Sequence, residues 1–209
     1  MVRSDALAPR FTRAWRGVGA RPAPPALLGE LLAAWDSPGR VYHGTAHLLD
    51  GLRRLDPLRS TMARPNEVEL AWWFHDALLA PGASDNEARS AAWAAQVLLE
   101  AGAPAETIAR IEAMILATRH RAEPPSPDAA VLVDVDLAVL AGDPADYDAY
   151  AEGVRAEYGF LSDPMWAAGR SAFLEELLGK PRIFHTDTFR DALEATARAN
   201  LRRELGRLR

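Results

Sequence analysis

The amino-acid sequence predicts an all-helical (all-α) protein built as a single bundle domain. Apolar residues recur at helical spacing along most of the 209 residues, and breaks rich in Gly and Pro separate the apolar runs. Hydrophobic residues make up 49% of the chain and charged residues 25%, so a sizeable core is available. We therefore expect one helical domain over residues 25–209, preceded by a loosely ordered arm over residues 1–24, which are rich in Arg, Gly and Pro.

The predicted helices follow one another with short breaks. The first combines several leucines with Trp35 at helical spacing, and residues 37–39 end it with Ser-Pro-Gly. The next covers residues 45–55, and a third covers residues 66–79, with Asn66 as the expected N-cap. The remaining predicted helices cover residues 86–100, 104–120, 129–140, 145–158, 164–178 and 187–205, with loops over 80–85 and 123–128.

The segment 129–140 fits two kinds of secondary structure. Alternating valines over 131–135 favour a buried strand, whereas Leu132, Leu137 and Leu140 suit a helix. A lone strand would have no partner elsewhere in the chain, so we predict a helix.

The composition excludes several classes of protein. The formal net charge is -5, whereas a protein that neutralises many phosphates is usually basic, so no long nucleic acid is expected as a partner. The absence of Cys excludes disulfides, cysteine zinc sites and thiol nucleophiles. The N-terminal segment has no apolar run of signal-peptide length, and no segment approaches the ~20 apolar residues that cross a bilayer. We therefore expect a cytoplasmic protein with no membrane partner.

Two metal-capable side chains stand together at the end of the most apolar predicted helix. His75 and Asp76 directly follow the aromatic run 72–74, and imidazole and carboxylate groups suit divalent ions such as Mn, Fe, Co, Ni, Zn or Mg. An isolated pair of this kind is more often a helix C-terminus, where the dipole favours His and Asp begins a turn.

Two further sequence elements favour a metal site over a plain helix C-terminus. His43 and His47 are four residues apart, so a helix would place both on one face, as paired ligands or with His43 supporting His47. His43 alternatively caps the helix start. Asp134 and Asp136 lie in an apolar segment, where a carboxylate is costly unless it is paired, capped or bound to a cation. In a helix these two acids point to different faces, so only one is expected to enter a metal site.

The order His, His-Asp, Asp along a helical chain resembles the signature of the HD superfamily of metal-dependent phosphohydrolases. The local sequences YHGTAHL, AWWFHDALL and DVDLAVL resemble a bacterial branch of predicted HD phosphohydrolases, as do DNEARSA, ILATRH, RAEYGFLSD and ATARANLRREL. The resemblance covers roughly residues 25 to 205 and is specific as a set. It implies a single HD-domain helical bundle.

The resemblance implies one divalent metal ion, held by His47, His75, Asp76 and Asp136. It further implies that metal-bound water hydrolyses a small phosphorylated substrate, a nucleotide phosphomonoester or phosphoanhydride. HD-type nucleotidases can place a catalytic Glu shortly after the His-Asp pair, whereas residues 77–80 carry no acid here. Two-metal relatives carry additional His ligands before the final Asp, where this chain has only His120, so we expect a single ion.

Glu87 and His120 are the candidate catalytic residues. Glu87 lies among the first acids after the His-Asp pair and is a candidate general acid or base. An acid favoured by the dipole at a helix N-terminus is the equal alternative. His120 is expected to hydrogen-bond a phosphate oxygen or a leaving group, or else is a dipole-favoured His at a helix end.

The candidate substrate-binding residues are His43, Arg155 and Tyr158. Arg155 would clamp a phosphate, although a salt bridge to a neighbouring acid is the commoner role in so Arg-rich a chain. Asn86, Ser90 and Asn200 recur in the resembling sequences, and we expect them to support the site.

Two other functions stay open. The missing acid after Asp76 also fits a non-catalytic, metal-dependent nucleotide-binding sensor. The other alternative is a structural helical protein in which the His-Asp pattern is coincidental. The expected partner is the small phosphorylated substrate, and the apolar helical surface is compatible with a homodimer.

Overall fold

The computed structural model describes residues 4–209. Within this range the regular structure consists of ten α-helices and two short 3₁₀ helices without any strand, so the predicted all-α fold is confirmed. The α-helices are α1 (Ser4–Arg16), α2 (Leu27–Trp35), α3 (Thr45–Leu55), α4 (Pro65–Phe74), α5 (Asn86–Glu100), α6 (Ala105–Ala117), α7 (Pro127–Leu137), α8 (Pro144–Glu157), α9 (Asp163–Gly179) and α10 (Asp187–Leu208). The 3₁₀ helices are Asp56–Leu58 and Ala138–Ala141.

The N-terminal segment differs from the predicted loosely ordered arm. Leu7, Phe11 and Trp15 are spaced by four, so α1 presents them on one face, and all three are buried in the core. Trp15 Nε1 donates a hydrogen bond of 2.7 Å to a main-chain carbonyl beyond the helix, which holds the following segment against α1. The apolar spacing therefore outweighs the Arg-, Gly- and Pro-rich composition, and residues 1–3 lie outside the described residues.

Helix α4 lies at the centre of the bundle. It contacts α1, α3, α5, α6 and α7, and every residue from Glu67 to Phe74 is buried. Arginines from neighbouring elements neutralise both of its buried glutamates. The helix begins at Pro65 rather than after an Asn66 cap, because proline is pre-organised for the first helical position. It ends at Phe74, before the predicted limit at residue 79, so the metal-capable pair stands where the chain leaves the core.

Helix α7 joins two halves of the core. The predicted helix over 129–140 is confirmed, and the alternative strand is wrong. Ser126 caps the helix by accepting a 3.1 Å hydrogen bond from the Ala129 N–H. Its valines are buried on several sides, because Val131 packs in the cluster of α1–α6 and Val133 packs in the cluster of α8–α10.

Helices α8, α9 and α10 form the second half of the bundle. Helix α10 packs on α9 and on the 3₁₀ helix Ala138–Ala141, and Asn200 donates hydrogen bonds to the carbonyls of Leu140 and Gly142. Within residues 4–209, none of the helices combines the length and the apolar character that crossing a bilayer requires.

Candidate metal centre

Three helices bring histidine and aspartate side chains to one point. His47 lies in the first turn of α3, His75 follows the last residue of α4, and Asp136 lies in the last turn of α7. Helix α3 packs on α4 and on α7, and α4 packs on α7, so the three ligand-bearing ends converge. The two imidazole Nε2 atoms lie 3.4 Å apart, and Asp136 Oδ1 lies 3.2 Å from that of His47 and 3.6 Å from that of His75.

These distances fit a divalent metal ion. One ligand atom from each of His47, His75 and Asp136 lies within 4.8 Å of the other two. Neighbouring ligands of an ion with bonds of about 2.1 Å lie about 3.0–3.5 Å apart in octahedral or tetrahedral coordination. These three residues can therefore hold a metal ion, and together they are called the metal group below. Asp76 lies beside it, with Oδ2 3.4 Å from His75 Nε2, and its place as a fourth ligand stays a prediction.

The imidazole of His75 is held with one nitrogen facing the cluster. Its Nδ1 lies 2.9 Å from the carbonyl oxygen of Trp72, which accepts a hydrogen bond when Nδ1 carries the proton. The Trp72 ring stacks on the imidazole at a centroid distance of 4.2 Å, and the His75 side chain has no exposed surface. A fixed Nδ1–H leaves Nε2 as the ligand atom, as is usual for histidines in metal sites.

The charges at this point call for a cation. Burial acts to lower the pKa of His75, but Asp76 and Asp136 outweigh it and raise that pKa to about 10. For His47 burial prevails, and its pKa is lowered. Burial acts to raise the pKa of both aspartates, yet His75 beside Asp76, and His120 with His47 beside Asp136, hold those pKa values below the ordinary range. The two carboxylates therefore attract either a proton on His75 or a metal cation.

His120 lies against the second carboxylate oxygen of Asp136. The distance from its Nε2 to Asp136 Oδ2 is 2.9 Å. Its backbone has φ of 57°, the left-handed region that is strained for a residue with a side chain, and Lys180 Nζ donates a hydrogen bond to its carbonyl. Its Nδ1 is buried and has no hydrogen-bond partner. The structure thus brings His120 to the site predicted for it.

A cavity of about 420 Å³ opens beside the metal group. The residues that line it include His43, Asp76, Glu87, His120, Asp136 and Tyr158. Glu87 faces Arg119, with Oε2 3.6 Å from the guanidinium Nε. The candidate acid therefore lies at the cleft, but it is paired with an arginine that also lines the cleft. Its catalytic role stays a prediction.

His43 is held by a glutamate that sequence reasoning did not assign to the site. Glu157 Oε2 lies 2.6 Å from His43 Nδ1, and Oε1 accepts hydrogen bonds from the backbone N–H groups of Val41, Tyr42 and His43. Burial acts to lower the pKa of His43, but Glu157 and Asp76 outweigh it, so the pKa is raised. The only feature of the sequence that could have indicated this role is the position of Glu157 in the Arg-x-Glu-Tyr sequence at the end of α8.

Arg155, predicted to bind phosphate, does not line the cleft. Its guanidinium donates to the carbonyls of Tyr158 and Leu161 and pairs with Asp163 at 2.8 Å. The predicted phosphate contact of Arg155 is therefore wrong, because these acceptors direct its side chain along the loop after α8. Arg170 lines the cavity in its place, on the face of α9 that turns toward the site.

Arg40 is a second contributor that the sequence did not single out. It donates to the carbonyls of His43, Asp76 and Ala77, and so fastens the segment before α3 to the segment after α4. Carbonyl recognition of this kind has no local sequence pattern, since the donor and two of its acceptors lie far apart along the chain.

The predicted supporting residues hold the backbone around the cleft. Asn86 closes the loop before α5 by bonding both the N–H and the carbonyl of Ala80, and Ser90 Oγ accepts from the Leu78 N–H. Asp134 points away from the metal group, where it anchors the segment before α10 by accepting from the N–H groups of His185 and Thr186 at 2.7 Å. Only one of the two acids of α7 therefore faces the cluster, as predicted.

Comparisons of the chain with protein-family models, curated proteins and solved structures found no match. The likeness to HD phosphohydrolases therefore rests on the local sequences quoted above. What the geometry adds is the convergence of His47, His75 and Asp136 on one point, beside a cleft that Asp136 lines.

Proposed function

We propose that this protein is a metal-dependent phosphohydrolase, of the HD type that its sequence resembles, acting on a small phosphorylated substrate such as a nucleotide. The observation that carries the proposal is the group of His47, His75 and Asp136 beside a cavity of about 420 Å³, which Asp136 itself lines together with Asp76. A buried metal group beside a cleft of ligand size is typical of a catalytic site rather than of a structural one.

The residues present fit a single divalent ion. His47, His75 and Asp136 would hold it, with Asp76 as the fourth ligand. A mixed set of imidazoles and carboxylates suits Mn, Fe, Co, Ni, Zn or Mg. An ion bound there would polarise a phosphoryl oxygen and lower the pKa of a water molecule.

The chain's own residues supply orientation and charge. His120 holds Asp136 from the side away from His47, which fixes the carboxylate that the metal needs. His43, which Glu157 holds through Nδ1, lines the same cleft as Asp76 and is the candidate to donate a hydrogen bond to a phosphate. Glu87 and Arg119 also line the cleft, and Glu87 remains the candidate to take or give a proton.

The charges that line the cleft favour one phosphate group. Asp76, Glu87 and Asp136 contribute three carboxylates, and Arg119 contributes one guanidinium group, because Glu204 neutralises Arg170. A divalent ion brings this lining to neutrality when the histidines are neutral, so the cleft offers little positive charge beyond the ion itself. A phosphomonoester is a better match for that charge than a polyphosphate chain.

The test is phosphate release from a panel of phosphomonoesters and nucleotides, with Mn, Co, Ni and Mg supplied in turn. We expect release with at least one ion, and its loss together with the bound metal in His47→Gln and Asp136→Asn. Matched controls are His185→Gln and Glu152→Gln, which change a histidine and an exposed acid outside the metal group.

Folded, metal-loaded protein that releases no phosphate from any compound would overturn the hydrolase proposal. Nucleotide binding without release would instead favour the metal-dependent sensor. Purified protein that neither contains nor takes up metal would overturn both.

A further inference from the structure

We propose that the cleft holds a planar, uncharged aromatic group of the substrate against α9, with the phosphate at the metal end. Its role as a leaving-group site rests on the proposed function, whereas the binding of the ring itself does not. The proposal names a class of substrate, phosphate esters of an aromatic alcohol or a nucleoside, over sugar phosphates.

One face of α9 forms a wall of this cleft. Trp166, Gly169, Arg170 and Phe173 are spaced by three and four, so the helix presents all of them on one side, and all of them line the cavity. Apart from the arginine, this face carries only ring and glycine surface. Aromatic faces of this kind bind planar rings by stacking, but they offer no hydrogen-bond partners for the hydroxyl groups of a sugar.

Aromatic side chains continue from this wall to the metal group. Tyr150 lines the cavity, with its ring 4.7 Å from that of Tyr42, and the Tyr42 ring lies 4.9 Å from the imidazole of His47. A ligand with a phosphate at the metal end therefore meets ring surface directly beyond it. The organic part of a small ester would lie against these rings, separated from the metal group by the side chain of Tyr42.

Arg170 belongs to this wall without offering it a free charge. Its guanidinium pairs with Glu204 at 2.8 Å and donates to the hydroxyl of Tyr150, and it lies 5.2 Å from the ring centroid of Phe173. The buried carboxylate of Glu204 neutralises it. The wall is thus polarised but uncharged, which favours a neutral ring over a second phosphate or a carboxylate.

Gly169 leaves a gap in the middle of the wall. A Cβ atom built at this position would meet no heavy atom within 4 Å. Glycine inside a helix destabilises it by about 0.5–1 kcal/mol relative to alanine, so an open position here costs stability that a filled one would recover. A planar ring between Trp166 and Phe173 would use the gap.

The experiment compares two ligands that carry no phosphate ester, so that binding is measured without hydrolysis. Adenosine and ribose are titrated by ligand-detected NMR into the metal-loaded protein in the presence of inorganic phosphate. We expect adenosine to bind at least tenfold more tightly than ribose, because only adenosine carries an aromatic ring. Gly169→Leu should remove most of that preference by filling the gap, and Phe173→Leu should reduce it by removing the facing ring.

The control is Gly29→Leu, at another exposed helical glycine with open space around its Cβ, on α2 and away from the cleft lining. It should keep the wild-type preference. Gly169→Ala tests the same gap with a change that helices favour, so a poorly folded leucine variant does not end the test. Equal affinities for adenosine and ribose in the wild type, or a preference that survives all cleft variants, would overturn the inference. Ring binding without phosphate release from any ester would support it while the hydrolase proposal fails.

Discussion

Lys180 donates a hydrogen bond from Nζ to the main-chain carbonyl of His120, and it is the only lysine in the chain. This contact holds a left-handed residue whose imidazole lies 2.9 Å from Asp136. The residue after α9 therefore helps to fix the candidate metal ligand Asp136 on α7 through the side chain of His120. Lys180 is a positioning residue in this arrangement, since it acts through His120 and belongs neither to the metal group nor to the residues that line the cleft.

Replacing Lys180 by Met should lower kcat about tenfold without changing KM or metal content. The lost bond is one from a charged donor, worth about 1.5–3 kcal/mol, and its loss releases the strained backbone of His120. Steady-state phosphate release and metal analysis check this. Glu176→Gln, at an exposed position on the same helix, is the control, and an unchanged kcat in Lys180→Met would contradict the assignment.

Substituting the two acids of α7 should have opposite consequences. Asp134→Ala should lower the free energy of unfolding by about 1–2 kcal/mol while the protein keeps its metal, because Asp134 binds the backbone just before α10. Asp136→Asn should lose metal, and among the metal-free proteins its loss of stability should be the smaller one. Chemical denaturation and metal stoichiometry on the same samples separate the two. Metal loss from Asp134→Ala that remains folded would contradict this division of roles.

Removing metal should lower the thermal stability of the wild type. At a free metal concentration of about one hundred times Kd, binding adds about 2.7 kcal/mol, which corresponds to about 5–10 °C in Tm for a domain of this size. Thermal unfolding with and without a chelator measures the shift. His75→Gln should show no shift, and His185→Gln should keep it. A shift of equal size in both variants would place the metal elsewhere.

Substituting Arg119 should change substrate binding, whereas substituting Arg155 should change only the stability of the fold. Arg119→Ala should raise KM about tenfold, because its guanidinium lines the cleft while that of Arg155 is turned away. Arg155→Ala should leave kcat and KM unchanged and cost about 1 kcal/mol of stability, since it bonds only local acceptors. Kinetics and denaturation of both variants test the pair, and a raised KM in Arg155→Ala would restore the sequence-based prediction.

Sequence patterns predicted the helices well where apolar spacing and end signals agreed. The predicted helix over 86–100 coincides with α5, and the one over 45–55 coincides with α3. Agreement failed at the N-terminus, where apolar spacing indicated a helix and composition indicated an arm. It also failed at α4, whose C-terminal limit is set by the turn at His75 and Asp76 rather than by any break in its apolar run.

The metal-capable residues were predictable because each stands out against an apolar background. His75 and Asp136 are polar groups within apolar runs, where burial is costly, so the sequence alone distinguishes them from their neighbours. The groups that hold the site together were not predictable. Glu157 and Arg40 act through main-chain N–H and carbonyl groups far away in the sequence, and such contacts leave no mark on local composition or spacing.

The hydrogen bonds between Asp134 and the segment before α10 have a consequence for how the protein is made. All of the metal-capable residues have left the ribosome once residue 136 has emerged, yet the buried carboxylate two positions earlier takes its hydrogen bonds from the backbone at His185 and Thr186. Until that segment is synthesised, α7 carries a buried charge without its hydrogen-bond donors. A nascent chain stopped before residue 185 should therefore hold metal weakly, and synthesis of residues 185 and 186 is the step that completes the support of α7.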